Sequence, residues 1–227
     1  MLREMYQVMS VMTDQNQWGE YAFSRDILQN RIKEAEKSEM IQQAIQCGCD
    51  FAELLMSEYK DMSAEEIVRS VNIRLVDSKA AVIGERVLFA QYTPPNEVMI
   101  MEEPLKKYGQ IREKENLQEV LPSAAQIRQL LLGHELFHWV EEQYQDIIYT
   151  RKKKITLWKL WKYENQSTVR ALGELAAMYF SQTLNQITYS PFVVDVLLSY
   201  SYNPELARNI YNDILMSVEK EKKEENL

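Results

Sequence analysis

Apolar and polar positions along the chain alternate with two different periods, and the switch between them divides it. Residues 1–60 have a helical texture. Ile27, Leu28, Ile32, Ala35 and Met40 recur among charges between positions 25 and 45, and Phe51, Leu54 and Leu55 extend an apolar face past Gly48. Ser63-Ala-Glu-Glu66 is a capping-box pattern that opens a short helix ending near Ser70. The period then falls to two. Residues 71–76 alternate as a half-buried strand, 86–92 form a second with Val87 and Phe89 on one face, and 98–101 a third after the turn Thr93-Pro-Pro-Asn96. Three such strands predict a small antiparallel sheet that needs helices on one face.

The rest of the pattern is helical again. Residues 102–119 are charge-rich, broken by Pro104 and Gly109, and read as a surface connection with some helix. Pro122 and Ser123 open a central helix in which Ile127, Leu130, Leu131, His134 and His138 share one stripe. Residues 144–165 connect it to a helix over 165–184, whose Gly173, Ala176 and Ala177 permit close approach of a neighbour. Ser190-Pro191 and Asn203-Pro204 start two more helices, the last fraying into a charged tail from Glu219.

The chemistry sits on the central helix. His134-Glu135-Leu136-Phe137-His138 is an H-E-x-x-H, and its histidines are the only two among 227 residues. Residues four apart on a helix project from one face, so two imidazoles stand side by side as zinc ligands do. Glu135 flanks them, placed to act as a general base on zinc-bound water. Catalytic zinc usually takes three protein ligands and keeps one open position. Glu142 lies two turns from His134, too far along the axis. With no third histidine, the remaining ligand type is a carboxylate. Glu174, set among small residues where a solvated carboxylate would be out of place, is the candidate, with Glu164 as the alternative.

Composition narrows the class. A hydrophobic content of 46% and a charged content of 26% fit a globular chain, and a net charge of −8 argues against a nucleic-acid binder. Residues 41–57 loosely resemble a helix-turn-helix with Gly48 at the turn. Residues 1–60, however, carry six basic and ten acidic side chains, against what phosphate contact requires. No leader or membrane-spanning run is visible, so a cytoplasmic protein without membrane contact is expected. Cys47 and Cys49, one residue apart, read as free thiols. Residues 151–162 hold six basic side chains and no acid. They read either as a solvated loop with Trp158 and Trp161 in the core, or as a contact surface for an acidic partner.

These motifs resemble a family, the minimal ImmA/IrrE-type metallopeptidases of the gluzincin kind. The resemblance rests on the H-E-x-x-H, on the order of elements from about residue 51 to 198, and on Glu174-Leu-Ala-Ala177-Met-Tyr-Phe180 as Glu-x-x-Ala-x-x-Phe. Residues 1–50 match nothing in it, which suggests either an N-terminal helical extension followed by a metallopeptidase-like domain over 51–227 or one continuous domain. The resemblance implies a zincin-like α+β fold, mostly helical, with the small sheet packed against the H-E-x-x-H helix. It also implies zinc on His134, His138 and Glu174, and Glu135 as base. The substrate would be a protein such as a transcriptional regulator, and it could add as a strand to the sheet edge. A tyrosine, Tyr200 or Tyr202, would steady the oxyanion. A different class remains open, a regulatory protein that keeps the zinc site without turning over substrate.

Overall fold

The computed structural model describes residues 1–78, 82–83 and 86–224, with 82–83, 86–87 and 218–224 described as backbone alone. The chain is a mixed α+β structure dominated by helix. Helices α1 (Leu2–Ser10) and α2 (Gln15–Ser24) lead through a 3-10 turn, Gln29–Arg31, into the 25-residue α3 (Glu34–Glu58). Gly48 lies inside α3, so the loose helix-turn-helix resemblance of residues 41–57 is not realised. The helix also carries the chain without a break past residue 50, where an N-terminal extension would end. What Gly48 provides is proximity. A Cβ there would stand 2.2 Å from the carbonyl oxygen of Ala176, so two helix backbones touch at this point.

The capping box at Ser63 and Glu66 closes as its sequence predicts and starts α4 (Ala64–Ser70). Strands β1 (Arg74–Ser78), β2 (Val82–Ile83), β3 (Arg86–Val87), β4 (Ala90–Thr93) and β5 (Glu97–Met101) follow. The expected strand over 86–92 is thus two short ones, and the side-chain face assigned to Val87 lies outside the described residues. Among the described residues, β2 and β3 pair with each other. The three-stranded sheet has the order β1-β5-β4 and is mixed, which corrects the antiparallel expectation: β4 runs antiparallel to β5, while β1 runs parallel to it, Arg74 opposite Glu97. Alternation along a strand says which side chains face inward, but not which strand lies beside which. The excursion through β2, β3 and β4 returns the chain so that β5 takes the centre, with Val98 and Ile100 buried.

The charge-rich stretch after β5 is largely a helix, α5 (Glu102–Lys114). Pro104 falls in its first turn, where a missing N–H costs nothing. Tyr108 is fully buried and donates to the carbonyl of Pro122 at 2.7 Å, fixing the approach to the next element. That element is α6 (Ala124–Gln143), opened by a second capping box between Ser123 and Gln126. A one-turn helix, α7 (Tyr149–Lys152), precedes an antiparallel hairpin of β6 (Lys154–Leu160) and β7 (Tyr163–Thr168). Neither a loop nor a helix, this hairpin leaves Trp158 53% and Trp161 93% exposed, which overturns the reading that put them in the core. The run of lysines had masked the strand pattern. It also delays the next helix, so α8 is Arg170–Leu184 and residues 165–168 belong to β7.

α9 (Val193–Tyr200) and α10 (Pro204–Glu224) begin after Ser190 and Asn203, whose side-chain oxygens accept the backbone N–H of Phe192 and of Glu205 and Leu206. The tail beyond 224 lies outside the described residues. α8 packs on α3 on one side and on α6 on the other, and α6 in turn touches β4 and β5. The small residues of α8 make this possible. Ala176 meets Gly48 of α3, and a Cβ on Gly173 would crowd Glu141 of α6 at 3.1 Å. Among the described residues, no helix is long and apolar enough to cross a membrane.

Candidate metal centre

Two helices meet face to face to build the site. α6 presents His134 and His138 one turn apart, and α8 presents Glu174 near its N-terminus. No local side chain caps α8. Asp26 does so from far away in sequence: its Oδ2 accepts the N–H of Ala171 at 2.8 Å, while its Oδ1 accepts that of Leu28. This buried carboxylate fixes where α8 begins, and therefore where Glu174 stands.

His134 Nε2 lies 3.2 Å from His138 Nε2 and 3.3 Å from Glu174 Oε2. One ligand atom from each of the three residues lies within 4.8 Å of the others. A tetrahedral zinc with bonds of about 2.0–2.1 Å separates neighbouring ligand atoms by about 3.3 Å, so both measured spacings suit one ion. The donor set, two imidazole nitrogens and a carboxylate oxygen, is also a zinc set. Glu164 is not part of it. It lies on β7, exposed, accepting from Thr156 Oγ1 and Gln166. Glu142 accepts from Arg151 at 2.8 Å instead.

Only one of the two imidazoles has a partner behind it: among the described residues the buried Nδ1 of His134 has no hydrogen-bond partner, whereas that of His138 does. His138 Nδ1 stands 3.1 Å from Oε2 of Glu141, a carboxylate only 4% exposed. An ionised carboxylate can only accept, so Nδ1 carries the hydrogen and Nε2 turns a bare lone pair towards the site. Glu141 is itself held by Thr150 Oγ1 and by Arg151 at 3.6 Å. Burial works against its charge, but His138 and Thr150 outweigh that and keep it below the usual carboxylate range. Sequence reasoning passed over Glu141. Its one signal was the spacing, three residues after His138 on the same helix. Thr150, brought in by the turn of α7, gave none. Replacing Glu141 by glutamine should weaken zinc binding about 10–100-fold with little change in fold. Titration calorimetry with zinc checks this, and an unchanged Kd would deny Glu141 its orienting role.

Glu135, 8% exposed, points the other way round α6. Its Oε2 accepts the backbone N–H of Tyr92 at 2.6 Å. β4 is an edge strand, and Tyr92 directs this N–H away from β5. Met101 donates to the carbonyl of Phe89, so by the antiparallel alternation Ala90 faces outward as Tyr92 does. Glu135 is thus tied to the outer edge of β4.

A further carboxylate acts on the trio from α9. Asp195 influences both His134 and Glu174, and burial raises its own pKa. Arg25 bonds it at 3.1 Å and also donates to the Tyr21 hydroxyl at 3.2 Å. The two tyrosines expected to serve an oxyanion lie elsewhere. Lys107 Nζ of α5 stands 3.9 Å over the ring of Tyr202, and the charges acting on Tyr200 are Glu115 and Arg208. Cys47 and Cys49 are free thiols; burial lifts Cys47 to about 11.

The metal-free trio binds a proton instead. Burial would lower the pKa of His134, but the bond to Glu174 and the charges of Glu135, Glu174 and Asp195 prevail and push it up to about 9. Burial would raise Glu174, yet His134 holds it down at about 2. Without metal, the charged pair therefore stabilises the fold in full only between about pH 4.5 and 6.5, the ordinary values of the two groups; the contribution fades as pH rises through about 9 and as it falls through about 2. Metal binding has the opposite dependence, because a ligand must be deprotonated. Zinc affinity should rise about tenfold per pH unit from pH 7 and level off near pH 9, with about one proton released per ion. Calorimetry in buffers of different ionisation enthalpy counts that proton. A flat affinity between pH 6.5 and 8.5 would contradict the coupling of His134 to Glu174.

Compared with protein-family models, curated proteins and solved structures, the chain matches none.

Proposed function

We propose that this protein is a cytoplasmic, zinc-dependent peptidase of zincin-like fold, similar to the ImmA/IrrE-type enzymes, that cuts a protein substrate. The observation carrying the reading is the convergence of His134, His138 and Glu174 beside a buried glutamate anchored to the sheet edge. Bound to those three residues, zinc supplies Lewis acidity: it lowers the pKa of a water to about 7 and polarises a carbonyl.

The chain's own residues do the rest. Tyr92 N–H fixes Glu135 Oε2, which leaves Oε1 to take the proton of the attacking water and deliver it to the departing amine. Glu141 holds the ring of His138 so that its Nε2, not its Nδ1, faces the ion. Substrate backbone pairs with the outward N–H and C=O of Ala90 on β4 and runs past Glu135, a form of strand addition. A protein that controls transcription is the substrate class the resemblance points to. The test is turnover of a broad peptide library by zinc-loaded protein, with the Glu135 variant described in the Discussion as its control.

A further inference from the structure

The β6–β7 hairpin presents an unusual face. Cross-strand partners share a face, so the pairs Leu160 with Tyr163 and Trp158 with Asn165 put Trp158, Leu160 and Tyr163 together on one side of the ribbon. Lys159 and Glu164 pair on the other, where Thr156 and Gln166 bond to Glu164. The ribbon is therefore amphipathic. Its apolar face covers nothing: Trp158 is 53%, Leu160 63% and Tyr163 75% exposed. Only the foot is held, by buried Ile155, by Arg31 donating to the Leu157 carbonyl at 3.3 Å, and by Lys153 paired with Glu36.

The turn adds a second observation. Trp161, 93% exposed, sits at its apex with φ 57°. Tight hairpin turns give this left-handed conformation to asparagine, aspartate or glycine. A tryptophan there works against the turn and gains no burial within the chain. Its ring is positioned for something outside. The strand leading to it is basic: residues 151–162 hold six of the chain's basic side chains and none of its acidic ones, in a protein whose net charge is −8, while on the returning strand Glu164 faces Lys159.

We propose that this hairpin docks the protein on an anionic lipid surface. Exposure increases from the foot to the apex, so the apolar area forms a convex tip. A flat, yielding interface reaches such an exposed tip without needing a groove. Tryptophan and tyrosine rings settle at headgroup depth, and Leu160 enters the acyl boundary beside them. Lys159 and Lys162, next to the apex, complement anionic headgroups, each worth about fivefold in binding near such a surface. The expectation of no membrane contact rested on the lack of a spanning segment. Contact at a surface needs only this tip. Because neither the metal nor Glu135 takes part, the proposal stands or falls separately from the peptidase reading.

The test is sedimentation of the full chain with vesicles of phosphatidylcholine alone and of phosphatidylcholine with phosphatidylserine. Wild type should bind the serine-containing vesicles, bind the neutral ones far less, and release as salt rises from 0.05 to 0.5 M. Leu160→Ser with Trp161→Ser should lose binding. Changing Lys159 and Lys162 to serine should weaken it about thirtyfold. The side chains at the apex are exposed, so circular dichroism and zinc content should match wild type in both variants, and these measurements guard against misfolding. Absence of binding to the anionic vesicles would overturn the proposal and leave an acidic protein as the occupant. Equal binding by wild type and the apex variant would overturn it too. So would a wild-type dimer that the apex variant breaks into monomers, because a second copy would then cover the tip.

Discussion

Changing Glu135 to glutamine should leave zinc in place and stop hydrolysis. Glutamine has nearly the same shape, and its carbonyl oxygen can still accept the Tyr92 N–H that now bonds Oε2 at 2.6 Å. The side chain should keep its position against β4. What it loses is basicity. An amide cannot take a proton from water at neutral pH, nor pass one to an amine, and removing a positioned general base costs about 10²–10⁴-fold. The measurement is library turnover by wild type and Glu135→Gln at equal zinc content. Turnover that survives the change would remove Glu135 as the base. Wild type that holds zinc and cuts nothing across a broad library would favour the other class of protein, a non-hydrolytic regulator built on the same site.

The ligands themselves should show the opposite separation. His134→Ala or His138→Ala leaves two donors, and two donors hold zinc poorly. Each should lower affinity by more than the roughly 10–100-fold expected for the orienting residue Glu141. Glu174→Gln should weaken binding as well, since a neutral amide oxygen replaces the carboxylate 3.3 Å from His134 Nε2. Glu164→Gln, on the exposed face of the hairpin, should bind zinc as wild type does. The two glutamates thus test the geometry against each other. A loss at Glu164 with none at Glu174 would place the third ligand wrongly.

The parts of this fold that could be read from sequence are those governed by short-range rules. The two histidines and Glu135 follow from helical spacing alone, and Ser63 and Ser123 marked helix starts because capping is local. Glu174 was legible for a less direct reason: Gly173, Ala176 and Ala177 betrayed a close helix contact, and a carboxylate in such a contact needs a partner. What escaped was decided by distant residues. The parallel pairing of β1 with β5 depends on strand order, which no alternation records. Asp26 caps α8 across 145 positions, and Tyr92 meets Glu135 across 43. The hairpin of β6 and β7 was hidden because lysines occupy its strand positions and its aromatics point to solvent, so burial never imposed a visible period. Gly48 was ambiguous for a related reason. A glycine that lets α3 touch α8 looks, in sequence, like a glycine at a turn.

The central claim is that three side chains from α6 and α8 share one zinc ion. Crystals of protein purified without chelator, measured above and below the zinc absorption edge, test it most directly. The account predicts a single strong anomalous peak about 2.0–2.1 Å from Nε2 of His134, Nε2 of His138 and a carboxylate oxygen of Glu174. A map with no peak at this position in zinc-supplemented crystals, or a peak held by a set of residues that omits Glu174, would contradict it.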